Sequence, residues 1–148
     1  SWTGYLGTTA LYDAAQFEQK ERFVHEAMAL AAPARVLDVG ANEGHFSAVA
    51  ASDGASVVAI DSDAAVAGRI WKMARARSLD VLPLVVDNTR QTPGVGWRNR
   101  EADSFLDRAS GHFDLVLMLA VIHHMLVTER VPLPEILRLA SELTRDYA

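Results

Sequence analysis

The chain alternates short apolar runs with longer segments in which apolar residues recur every three or four positions. The short runs predict β-strands, and the spaced segments predict amphipathic helices. Strands are predicted at 35–39, 56–60, 81–86 and 113–120, and helices at about 13–30, 44–53, 64–77, 101–109 and 134–144. Asp13 is the expected cap of the first helix, and Pro83 marks the third strand as an edge strand. Residues 146–148 resemble the start of a fifth strand.

Because strands alternate with helices, we expect an α/β domain with a doubly wound, mostly parallel, Rossmann-like sheet. Right-handed crossovers bring the C-terminal ends of all strands to one edge, where open α/β sheets bind ligands. Asp38, Asp61, Asp87 and His123 each lie at or just beyond such an end. The sequence therefore predicts one ligand site along this edge.

The segment Asp38-Val39-Gly40-Ala41-Asn42-Glu43-Gly44 predicts a tight turn between the first strand and its helix. Glycine lets the backbone approach a ligand closely, so we expect the turn to bring N–H groups near it. The dinucleotide pattern G-x-G-x-x-G would require glycine at positions 40, 42 and 45, and only Gly40 is present. This disfavours a nicotinamide-dependent oxidoreductase. Asp61, about twenty residues on, is where nucleotide-binding βαβ units hold a ribose; it could instead cap the next helix, although Asp63 is better placed for that.

Composition narrows the class of protein. The 148 residues are 50% hydrophobic, with a net charge of −5 and no cysteine. A single globular domain is expected, without disulfides or thiolate metal sites, and the scattered histidines argue against any other metal site. The negative charge argues against a nucleic-acid partner, and no membrane span or signal peptide is visible, so we expect a cytoplasmic protein.

The motif around Gly40 resembles that of the class I S-adenosylmethionine-dependent methyltransferases, whose first motif is acid-x-Gly-x-Gly-x-Gly. The resemblance continues with an acid after the second strand, Asp87-Asn88 after the third, and Phe113 to Met118 in the fourth. It implies S-adenosylmethionine as cofactor, with Asp61 at the ribose and Asp87 near the adenine. The cofactor-binding residues expected from it are Asp38, Gly40, Ala41, Asn42, Gly44, Asp61, Ser62, Asp87, Asn88 and Leu119.

Two further motifs, Pro93-x-x-Gly96-Trp97 and the segment 119–124, resemble bacterial small-molecule methyltransferases that include nodulation-associated ones. The expected function is methyl transfer to a small-molecule acceptor. His123 or His124, in a predicted loop after the fourth strand, would assist as a base, or the pair is structural. Lys20 could reach the cofactor carboxylate from the first helix. The alternative function is a non-catalytic cofactor-binding or scaffold module of a larger protein.

The family's sheet has seven strands in the order 3-2-1-4-5-7-6, and this sequence predicts only four or five. We therefore expect residues 1–148 to form a single domain that continues beyond Ala148. Without a fifth strand, the fourth would expose an unpaired apolar edge. Such an edge predicts self-association of the isolated chain.

Overall fold

The computed structural model describes residues 14–119 and 121–147 as alternating helices and strands. The strands are β1 (Arg35–Val39), β2 (Ser56–Asp61), β3 (Val81–Val85), β4 (Phe113–Leu117) and β5 (Thr144–Tyr147). The helices are α1 (Ala14–Ala31), α2 (His45–Ser52), α3 (Ala64–Arg77), α4 (Phe105–Ala109), α5 (Val121–Val127) and α6 (Leu133–Leu143), with a 3₁₀ turn at Trp97–Asn99. The expected cap Asp13 lies outside the described residues. Among those described, no helix is both long and apolar enough to cross a bilayer.

The five strands form one sheet in the order β3-β2-β1-β4-β5, and every pair is parallel. This confirms the predicted doubly wound α/β fold. Its order equals the first five positions of the seven-strand order. The strand that carries the glycine turn, β1, lies in the centre.

Among the described residues, three helices cover each face of the sheet. Neighbouring residues of a strand point to opposite faces, so each strand contributes apolar side chains to both helix layers. Val36 packs with the cluster formed by α1 and α2, and Ile70 of α3 lies on the same side. Leu37 packs with the cluster to which α4, α5 and α6 contribute, including Met125 and Ile136. The N-terminal helices therefore form one layer and the C-terminal helices the other.

Strand β5 confirms that a fifth strand follows, and it begins at Thr144, two residues before the predicted start. Phe113 pairs with Thr144 and Leu115 with Tyr147, across a register irregularity. The apolar edge of β4 is thus covered, and the outer edge belongs to the polar β5. Self-association through a sheet edge stays a proposal, and it now concerns β5.

Other predicted boundaries also differ from the structure. Helix α4 begins at Phe105 rather than near Glu101, because Ser104 caps it in a reciprocal bond with Asp107. The fourth strand ends at Leu117, and the histidine pair predicted in a loop lies on α5. Val121 and Met125 are both buried at the helical spacing of four, which anchors this helix.

Pro83 lies on the outer edge of the sheet, as its lack of an N–H requires. The carbonyl of Asp80 accepts from Val57, and the N–H of Val86 donates to Asp61, so even-numbered residues here face β2. Because the direction alternates along a strand, the nitrogen of Pro83 faces away from β2. The prediction of an edge strand is confirmed.

Replacing Ile136 by alanine should lower the free energy of unfolding by about 2–5 kcal/mol, since the side chain is fully buried between α6 and the sheet. Leu137, its neighbour, is 57% exposed and serves as the matched control, with an expected change within about 0.5 kcal/mol. Urea denaturation of both alanine variants tests this. Equal losses would show that α6 does not pack as described.

Candidate functional site

The carboxylate of Asp61 joins two turns at the ligand edge. Its Oδ2 accepts from the backbone N–H of Asn42 at 3.0 Å, and its Oδ1 accepts from the N–H of Asp63 at 3.0 Å. The first bond ties β2 to the turn after β1, and the second shapes the start of α3. Asp63 caps α3 by accepting from Ala65, as predicted. Each Asp61 oxygen keeps a lone pair for a further donor.

Most backbone N–H groups of the glycine turn donate hydrogen bonds to acceptors within the protein. Gly40 and Ala41 both donate to the carbonyl of Ile60, Asn42 donates to Asp61, and Gly44 donates to the carbonyl of Ala41. The expectation that this turn offers its N–H groups to a ligand is therefore wrong for these four residues. The turn presents bare backbone instead.

Both glycines are required by space and by backbone conformation. Gly40 has φ 71°, and a Cβ there would lie 3.0 Å from Cβ of Val121 and 3.7 Å from Nδ2 of Asn88. Gly44 has φ 78°, and a Cβ there would lie 2.8 Å from Cγ1 of Ile70. The turn is thus packed between the start of α5, the loop after β3 and the side of α3.

Asp38 is buried at the end of β1, with 3% of its surface exposed. Burial raises the pKa of its carboxyl to about 6, a bond from Ser47 lowers it, and the charge of Asp61 raises it. The Ser47 hydroxyl donates to Oδ2 of Asp38 at 2.6 Å. Two carboxyl groups therefore give the site a negative potential, which favours a cationic ligand.

The loop after β3 brings Asp87 and Asn88 to the edge. Oδ1 of Asp87 accepts from the N–H and the hydroxyl of Thr89 and from the N–H of Arg90. The pKa of this exposed carboxyl is lowered, mainly by the bond from the backbone N–H of Thr89 and next by the bond from the Thr89 hydroxyl. Oδ1 of Asn88 is buried and has no hydrogen-bond partner among the described residues. Of the two side chains, only Asn88 keeps a buried acceptor unpaired among the described residues.

The segment after β4 completes the edge. The carbonyl of Leu119 lies 3.5 Å from Nζ of Lys20, so α1 reaches this edge. That Lys20 contacts a cofactor carboxylate stays a prediction. On α5, His123 is exposed, whereas His124 is half-buried and its Nε2 lies 3.7 Å from Oε1 of Glu129. Oε2 of Glu129 in turn lies 3.9 Å from Nη2 of Arg90, which connects α5 to the β3 loop.

The structure thus brings most of the predicted residues to one edge. Ser62 is exposed beside Asp61, and Ala41 is buried within the turn. Two functional candidates were missed, Ser47 and Glu129. A serine within the otherwise apolar start of α2 was a usable signal for the first; only tertiary contact reveals the second.

A family model described as a methyltransferase domain matches residues 12–146. The chain belongs to the methyltransferase domain family. This confirms the resemblance to class I methyltransferases drawn from the motifs.

One curated relative is the nodulation protein NoeA of Rhizobium meliloti. It is 33% identical over 143 residues, which are 96% of this chain and 29% of that protein. The chain thus spans under a third of the relative it matches.

Solved structures share the fold of this methyltransferase domain. TehB from Haemophilus influenzae has a TM-score of 0.60 at 17% identity, over 97% of this chain and 41% of that one. The bifunctional kinase–methyltransferase WbdD has a TM-score of 0.61 at 24% identity, over 99% of this chain and 30% of that one. At these identities the likeness concerns the fold alone.

Replacing Asp38 by asparagine should flatten the pH dependence of stability. A carboxyl whose pKa is about 6 in the folded protein, against an ordinary value of 3.8, binds more protons in the folded state than in the unfolded state. Its contribution is therefore full below pH 4 and is lost as pH rises through 6, a change of roughly 3 kcal/mol. Urea denaturation from pH 4 to 8 measures the difference between the two proteins.

Replacing Ser47 by alanine is the companion measurement. It removes the hydroxyl that favours the ionised form, so the loss should move to higher pH. Identical pH profiles for the wild type and Asp38→Asn would contradict the buried, pKa-shifted carboxyl.

Proposed function

We propose that this domain binds S-adenosylmethionine and transfers its methyl group to a small-molecule acceptor. The observation that carries the proposal is the Asp61 carboxylate, fixed through both oxygens beside a glycine turn with few free donors. A carboxylate held in this way suits the two hydroxyls of a ribose. Membership in the methyltransferase domain family supports the same assignment.

The hydrogen bonds of the turn favour this cofactor over a dinucleotide. A pyrophosphate needs unpaired backbone N–H groups and the positive end of a helix. Here the N–H groups of Gly40, Ala41, Asn42 and Gly44 are already bonded within the protein. The buried Asp38 adds negative potential, which opposes a phosphate and favours a sulfonium.

The residues fit S-adenosylmethionine along the sheet edge. Asp61 would hold the ribose, and the buried Oδ1 of Asn88 would gain a donor from the adenine end. The amino-acid tail would lie along the backbone of the turn between Gly40 and Gly44. Lys20, whose amine lies 3.5 Å from the carbonyl of Leu119, would bind the carboxylate of the tail.

When bound, this cofactor supplies a methyl carbon that an acceptor atom takes while the electron pair of the broken C–S bond stays on sulfur. The chain positions the partners in line, which accounts for much of such catalysis. His124 would accept the proton that a hydroxyl or amine acceptor loses. It lies three residues after Val121, which contacts Gly40, so the two residues share one side of α5.

A second candidate function is a non-catalytic cofactor-binding module. The observation in its favour is that the chain matches only 29% of NoeA, so catalysis could depend on other parts of a longer protein. Binding of S-adenosylhomocysteine without turnover in the full-length protein would favour this candidate.

Replacing Asp61 by alanine should weaken S-adenosylhomocysteine binding about tenfold to a hundredfold, the scale for hydrogen bonds to a charged group. Isothermal titration calorimetry measures the dissociation constant. Asp61→Asn keeps one oxygen that can accept from a backbone N–H of the turns. Comparison of the two variants therefore separates the loss of a ligand contact from disruption of the turn structure. Asp80→Ala, an exposed acid before β3 at the opposite edge, is the matched control. An unchanged constant for both Asp61 variants would rule out the ribose role.

Replacing His124 by asparagine should lower methyl transfer by about 10²–10⁴-fold, the usual effect of losing a general base. His123→Asn, the adjacent but exposed histidine, should leave the rate near normal. The rate is read as S-adenosylhomocysteine released by the full-length protein with its acceptor. If the two variants behave alike, α5 does not present His124 to the acceptor.

A further inference from the structure

The loop between β3 and α4 folds into a closed finger over residues 92–105. At its base, the N–H of Phe105 donates to the carbonyl of Thr92 at 2.9 Å. Further out, Val95 and Ala102 exchange two backbone bonds of 3.0 and 3.2 Å. The finger therefore holds its shape through its own backbone, as compact functional loops do.

The tip of the finger, residues 97–100, exposes one aromatic ring and two cations. Trp97 is 77% exposed, and Arg98 and Arg100 are exposed beside it. Neither guanidinium has a hydrogen bond or ion pair within the part of the chain that the structure describes. The acids of the finger, Glu101 and Asp103, follow on its returning side, where Glu101 folds against Gly96.

The backbone at the tip is fixed in an unusual conformation. Arg98 and Asn99 both have φ 57°, in the left-handed region. Holding two such residues in sequence costs free energy, and this cost is tolerated where the neighbouring structure imposes it. The N–H of Asn99 donates to the carbonyl of Gly96 at 3.0 Å, which provides that restraint.

A second exposed tryptophan in the chain shows a different arrangement. Trp71 is 53% exposed, but the guanidinium of Arg75 lies over its ring at 5.4 Å. The ring and the guanidinium thus contact each other on the surface of α3. Among the described residues no such pairing is found for Trp97, so its ring and the neighbouring cations are available together to an external group.

The position of the finger relates it to the proposed cofactor site. It follows Asn88 after the C-terminal end of β3, and ligands of open α/β sheets lie along that edge. Trp and Arg are the side chains most enriched at energetically dominant contact points. A flat ring suits the tryptophan face, and an anion suits two guanidinium groups in a chain of net charge −5.

We propose that the finger selects the methyl acceptor, and that this acceptor carries a ring together with an acidic group, a carboxylate, phosphate or sulfate. The inference rests on the proposed methyl transfer and names its substrate class. Trp97 stacks on the ring, and Arg98 and Arg100 hold the acid. The finger residues bind and orient the acceptor and take no part in the chemical step.

The experiment uses paired aromatic probes, 4-hydroxybenzoate and its neutral counterpart 4-hydroxybenzamide. Both are titrated into a Trp2→Phe/Trp71→Phe protein, in which Trp97 is the single tryptophan, and quenching of its fluorescence is followed. Exposed ion pairs contribute little each, so two of them should favour the benzoate about fivefold to tenfold. Arg98→Gln/Arg100→Gln should abolish this preference, and Arg98→Lys/Arg100→Lys should restore part of it.

Arg75→Gln is the matched control, since it removes an exposed arginine beside position 71 on a different surface. Equal affinity for the two probes, or the same loss with Arg75→Gln, would overturn the proposal. A short single-stranded oligonucleotide that displaces the benzoate at low concentration would also overturn it, in favour of nucleic acid. S-adenosylhomocysteine affinity is measured separately on each protein. If the wild-type protein does not bind S-adenosylhomocysteine, the proposed function is refuted. The probe titration tests the finger independently of that result.

Discussion

The ligand edge of this domain depends on one carboxylate that bonds to backbone from two different turns. Asp61 ends β2, yet its side chain holds the N–H of Asn42 in the turn after β1 and the N–H of Asp63 at the start of α3. Without it, two donors in a half-buried region would lack partners, at a cost of about 1–3 kcal/mol each. Burial is the main cause of the raised pKa of the Asp38 carboxyl, and the charge of Asp61 raises it further. Asp61 therefore contributes both to the shape of the site and to its negative potential.

The fold was largely predictable because its signals are local. Strand β1 and helix α3 were bounded correctly, since an apolar run and a capping aspartate each act within a few residues. Helix α5 was taken for a loop, although Val121 and Met125 carry the right spacing, because the segment lacks a clear cap. Strand β5 is only four residues long and mostly polar, so its pairing with β4 comes from tertiary structure rather than from its own pattern.

The site was predictable in position and less so in bonding. Topology alone places the ends of β1, β2, β3 and β4 together. The glycines in the sequence indicated close backbone approach, but they could not show that Ile60 would receive the N–H groups of Gly40 and Ala41. The contact between His124 and Glu129 depends on how α5 ends. Sequence patterns identify which residues converge, and packing decides which of their donors and acceptors stay unused.

Pro83 makes the two edges of the described sheet unequal as sites for pairing with another strand. With its ring nitrogen turned outward, the β3 flank lacks a donor in the middle of a five-residue strand, and an incoming strand would meet a gap in the ladder. The β5 flank carries no such block. Pairing with a further strand is therefore favoured beside β5 over pairing beside β3. The two outer strands of the described sheet thus differ in how well they could pair with another strand.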